Sequence, residues 1–115
     1  MNKCNQFSEI IAAYRRHGWQ PRRALMTAET LVETSVTGEA LLENLRADES
    51  PIDAIWFSRP SQGNREAWEL RLVAETPYAL FEAFEPEESE LQREAVRREM
   101  ESRMRDYTTT DWPRV

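Results

Sequence analysis

IDAIWFSRPSQGNREAWELRLVAE, residues 52–75, decides the fold reading of this chain. In its second half Trp68, Leu70, Leu72 and Ala74 alternate with Glu69, Arg71, Val73 and Glu75, the period-two pattern of a strand with two different faces. The first half, residues 52–58, concentrates Ile, Trp and Phe, which suit a pleated, buried surface. Between the two runs Pro60-Ser61-Gln62-Gly63-Asn64 is rich in turn formers, so the pair reads as a hairpin. Thr76-Pro77 breaks the second strand and residues 78–84 supply a third. Residues 52–84 are therefore expected to form a three-stranded antiparallel meander.

Toward the N-terminus, Phe7, Ile10, Ile11 and Tyr14 fall at i, i+3, i+4 and i+7, one stripe of a helix over residues 5–17. Asn5 is placed to cap it, and Arg15, Arg16 and His17 suit the negative end of its dipole. Gly18 can take the left-handed conformation that terminates it. Residues 18–27, entered through Trp19 and Pro21, read as extended and are the candidate for a fourth strand. Within residues 28–46 a second helix is expected near the end, capped by Thr37 with Leu41, Leu42 and Leu45 on its apolar face. Residues 31–36 show no assignable pattern, and Asp48-Glu49-Ser50-Pro51 reads as a turn.

Toward the C-terminus, residues 85–107 read as a long charged helix, about 30 Å if continuous. Pro86 and the acidic run Glu85, Glu87, Glu88 and Glu90 suit its first turn. Val96, Met100, Met104 and Tyr107 share a face, whereas Leu91 and Ala95 lie off it. This stripe is the candidate for self-association: the helix is expected to lean on the sheet early and to project, or meet another copy, later. Residues 108–115 read as an irregular tail. Strands gathered before a closing helix, rather than strict alternation, indicate an α+β fold over one domain of 115 residues.

Composition narrows the function classes. A net charge of −6 opposes general nucleic-acid binding, which rests on a basic surface. With one cysteine, Cys4, no intramolecular disulfide can form, and with one histidine, His17, a Cys/His zinc site is effectively excluded. No stretch reaches the length of a signal peptide's apolar block or a membrane span, so a cytoplasmic location without membrane contact is expected. Gly18, Gly38 and Gly63 are isolated from one another, which leaves no phosphate-cradling loop, and no cofactor is implied.

The candidate binding residues are Arg59 and Arg65, which bracket the hairpin loop, with Trp56 and Tyr78 from the strands. Two guanidinium groups with nearby amide and hydroxyl donors suit a carboxylate or phosphate. No catalytic set is visible, and His17 reads as a helix-terminal group rather than a base. The functional expectation is a small acidic interaction or regulatory module acting by surface binding, through a homodimer or a basic protein partner. Alternatives are a binding domain for a small anionic ligand, lined by Trp56, Trp68 or Tyr78 with an arginine at its mouth, and an enzyme whose Glu and Arg groups only the fold brings together.

Overall fold

The computed structural model describes residues 3–37 and 45–110. The elements run α1 (Lys3–Arg16), β1 (Gln20–Met26), α2 (Ala28–Thr37), β2 (Ala47–Glu49), β3 (Ala54–Pro60), β4 (Glu66–Leu72), β5 (Ala79–Phe84) and α3 (Glu90–Thr110), with a short 3₁₀ turn at Gln62–Asn64. The fold is α+β as expected, but the meander is only part of its sheet. Five strands pair in the order β2-β1-β3-β4-β5, with β1 and β2 parallel and the other neighbours antiparallel.

Residues 18–27 do supply the fourth strand, and β1 pairs with β3 rather than extending the meander at its far edge. The fifth strand, β2, lies where a turn was expected. Its sequence, Ala47-Asp48-Glu49, carries no strand preference, so backbone pairing with β1 fixes it. Ala24 N–H donates to Arg46 O and Ser50 N–H to Met26 O, both at 2.8 Å.

The ends of α1 follow local chemistry. Gly18 sits at φ +86°, its N–H bonds Arg15 O at 3.0 Å, and Trp19 N–H reaches Tyr14 O at 3.1 Å, the paired bonds of a Schellman motif. The expected cap Asn5 instead lies inside the first turn, because the helix begins at Lys3. His17 closes the other end with Nδ1 at 3.0 Å from Ala13 O.

The second helix occupies Ala28–Thr37, so Thr37 ends the described helix rather than opening one. Leu41 and Leu42, expected on its apolar face, lie outside the described residues; Leu45 is buried in the core. Thr27 caps α2 through Oγ1, which accepts from Thr30 N–H at 3.3 Å. Residues 31–36 resisted assignment because α2 buries threonines in place of an apolar stripe. Thr34 is fully buried, and its hydroxyl donates back to Thr30 O at 2.9 Å.

In α3 the first turn is set by a capping box that sequence reading missed. Ser89 Oγ accepts from Gln92 N–H at 3.1 Å, and Gln92 Oε1 accepts from Ser89 N–H at 2.8 Å. Pro86 and its acidic neighbours therefore precede the helix. Residues 108–110, expected in the tail, continue it, and residues 111–115 lie outside the described residues.

Helices cover both faces of the sheet. One face carries Ala24, Met26, Ile55, Phe57, Ala67 and Val73, under Phe7 and Ile11 of α1 and Leu31 of α2. The other carries Leu25, Ala54, Trp56, Leu70 and Leu72, under Met100 and Met104 of α3. The expected early lean of α3 is met through Arg93 and Arg97, which lie over Phe84 and Trp68, but its later half does not project: Met100 and Met104 pack on the sheet as well, and Leu91, off the stripe, is 82 % exposed. No helix among the described residues is long and apolar enough to cross a membrane.

Candidate functional site

The site begins with an irregularity in β1. Pro21 pairs with Phe57 and Arg23 with Trp56, so two steps along β1 match one step along β3 and Arg22 is the extra residue of a β-bulge. Strict alternation would send Arg22 and Arg23 to opposite faces. The bulge re-aims the chain, and both arginines line one cavity of about 220 Å³ on the α3 face of the sheet. Pro21 fits beside such a break, because it has no N–H for a regular ladder.

The remaining walls are Trp56 from β3, Trp68 from β4, and Glu94 and Arg97 from α3. The two indoles meet edge to face, with centroids 5.9 Å apart and planes at 70°. Each indole N–H is held by a carboxylate outside the lining: Trp56 Nε1 donates to Glu101 Oε2 and Trp68 Nε1 to Glu66 Oε1, both at 2.7 Å. The apolar walls are therefore fixed in orientation.

Arg97 is buried, with its guanidinium 4.5 Å from the Trp68 ring centroid. Such a cation needs partners, and Glu90 and Glu94 both accept from it. Burial alone would raise the Glu94 carboxyl. The hydrogen bond and charge of Arg97, with the charges of Arg98 and Arg23, outweigh burial and hold Glu94 below the usual carboxylate range.

Arg23 donates from Nη2 to Glu101 Oε2 at 2.5 Å. Its Nε faces Asp48 Oδ2 at 3.5 Å, an ion-pair distance that is long for a hydrogen bond, and this buried N–H has no acceptor. Arg22 is exposed at the mouth, with its guanidinium 5.6 Å from the Trp68 ring centroid and no carboxylate paired with it among the described residues.

Of the residues expected from sequence to bind, Trp56 lines this cavity. Tyr78 instead stacks on Tyr107, with centroids 3.7 Å apart. Arg59 lies on the opposite face, 4.6 Å from the Trp19 ring centroid, and donates to His17 O at 2.7 Å. Arg65 shares the hairpin end but pairs with Glu85 at 3.3 Å. An open hollow of about 510 Å³ there is lined by Arg59, Pro60, Ser61, Gln62, Ala67 and Phe81, without Arg65. Met100 and Met104 are buried against their own sheet, and Val96 and Tyr107 pack half-buried against the same cluster.

Trp68, expected with Trp56 or Tyr78 to line an anionic-ligand pocket, does line this cavity, whereas Arg22, Arg23, Glu94 and Arg97 were not named from sequence as site residues. The pair Arg22-Arg23 directly after Pro21 was the available signal, because a proline inside a strand marks a break in the ladder. Among the described residues no group of three or more His, Cys, Asp and Glu side chains is placed to hold a metal ion. Comparison of the chain with protein-family models, curated proteins and solved structures finds no match.

Proposed function

We propose that this protein is a binding module for a small anionic ligand, held in the cavity between β1, β3, β4 and α3. The observation that carries this reading is the bulge at Arg22, which turns two consecutive arginines into a cavity walled by two tryptophans. Bulges recur beside functional sites because they re-aim side chains. The chemistry of the lining suits binding rather than turnover. Its one carboxylate, Glu94, is shifted toward the ionised form and engaged by Arg97, the opposite of a carboxyl kept protonated to act as a general acid.

Thermal unfolding in a panel of small carboxylates, phosphates and sulfates tests the reading. At least one anion should raise the melting temperature of the wild type, and Arg22→Gln, a change at an exposed side chain, should remove that shift without lowering the unliganded melting temperature. No response from any anion, or a response that Arg22→Gln leaves intact, would count against it.

A second reading, as a protein-interaction module, draws on β5. This strand is an edge of the sheet, and its Phe81 is 59 % exposed with its ring set edge-on to Trp19. Glu85, Glu87 and Glu88 follow the strand directly, so a partner segment pairing there would carry basic residues. A basic strand-forming peptide should bind the wild type and lose affinity to Phe81→Ser; equal affinity for both would remove this surface.

A further inference from the structure

We infer that the ligand of the Arg22/Arg23 cavity is a monocarboxylate bearing one planar ring. This inference rests on the anion-binding reading above and narrows it by charge, size and wall chemistry.

Charge comes first. Arg23 is matched by Glu101 and Asp48, and Arg97 by Glu90 and Glu94, so Arg22 is the guanidinium of the lining that no carboxylate matches among the described residues. One positive charge awaits one negative charge. A phosphate monoester carries about −1.5 to −2 at neutral pH, and its second charge would stand against Glu94 and Glu101 with no cation to offset it. A carboxylate brings a single charge on two oxygens, which matches the fork of the exposed Arg22 guanidinium.

Size and walls define the rest of the molecule. The cavity of about 220 Å³ is smaller than the roughly 300–1,000 Å³ of sites for drug-sized ligands, which leaves room for one ring and a short link. Trp68, half-buried and 5.6 Å from the exposed Arg22 guanidinium, offers the aromatic surface for that ring, while the fully buried Trp56 packs edge to face against it and holds it in place. A carboxylate without a ring would leave Trp68 unused.

Isothermal titration of the full chain with phenylacetate, acetate, phenyl phosphate and benzylamine tests the inference, with quenching of tryptophan fluorescence as a second readout. Phenylacetate should bind saturably and roughly tenfold or more tighter than the other three, and Arg22→Gln should weaken it by a similar factor. The inference is overturned, with the anion-binding reading left standing, if phenyl phosphate or acetate binds as tightly as phenylacetate and depends on Arg22. Should none of the probes bind, or should binding ignore Arg22→Gln, both the inference and the reading beneath it fail.

Discussion

Trp56 on the central strand is tied to Glu101 on the C-terminal helix by an indole hydrogen bond of 2.7 Å, and the accepting oxygen also takes Arg23 at 2.5 Å. One carboxylate thus joins β1, β3 and α3 beside the cavity. Glu101→Ala would leave a buried indole N–H and a partly buried guanidinium without their acceptor. The expected cost is about 2–4 kcal/mol, held below the full penalty of a buried pair because Arg23 is about a third exposed. Glu101→Gln keeps an acceptor and should recover at least half of that loss. Urea unfolding of the three proteins checks both figures.

Leu70 faces α3 from β4 with no solvent exposure, in the cluster that holds Trp56, Met100 and Met104. Leu70→Ala should cost about 2–5 kcal/mol through lost transfer energy and the cavity left behind. The urea midpoint should fall at unchanged slope, since the surface exposed on unfolding barely alters. A loss below about 0.5 kcal/mol would mean that the strand does not face α3.

The alternation in residues 66–72 and the stripe Phe7, Ile10, Ile11 and Tyr14 were legible because each is a local pattern answering to one buried face. The Schellman end at Gly18 was legible for a related reason, as a φ of +86° calls for a residue without a Cβ. By contrast β2 exists only because β1 offers a parallel partner, and nothing in Ala47-Asp48-Glu49 announces that. In α2, Thr30 and Thr34 are buried polar residues that no apolar periodicity announces, and Thr34 satisfies its hydroxyl on its own helix. The cavity was the least legible feature. It depends on a register break at Arg22 and on pairing over more than seventy residues, as in Arg23 with Glu101, and no local window contains either.

On the other face of the sheet Tyr14 stacks on Phe57 at 4.0 Å and donates its hydroxyl to Glu69. Burial first, and then the hydrogen bond and charge of Glu69, raise the Tyr14 pKa well above its usual value, against smaller opposing effects of Arg71. The protonated phenol is thus favoured in the native state relative to the unfolded one. Its contribution is fully present below about pH 10, where an unfolded tyrosine begins to ionise, and is lost as pH rises from there toward the native value. Wild-type stability should therefore fall more steeply above about pH 10 than that of Tyr14→Phe, which has no proton to lose at this position. Urea midpoints at stepped alkaline pH measure it, and parallel curves for the two proteins would show that Tyr14 titrates as if unfolded.

The stripe on α3 makes the sharpest distinction between folding and assembly. Met100 and Met104 are at most 1 % exposed within their own subunit, so a second copy could reach them only after they leave the sheet. Each would bring a charge into an apolar cluster if replaced by glutamate, at a cost that two such sites raise beyond the roughly 5–15 kcal/mol available to a domain. Met100→Glu/Met104→Glu should therefore lose cooperative unfolding altogether rather than become a folded monomer. Leu91→Glu on the same helix, at an 82 % exposed position, should stay within about 0.5 kcal/mol of wild type. The wild-type urea midpoint separates the two accounts further, because a dimer built on this stripe would gain stability with protein concentration, whereas an intramolecular core would not. Over a roughly hundredfold range of concentration the midpoint should stay constant. A midpoint that climbs with concentration, together with a folded double variant, would assign the stripe to a partner subunit instead.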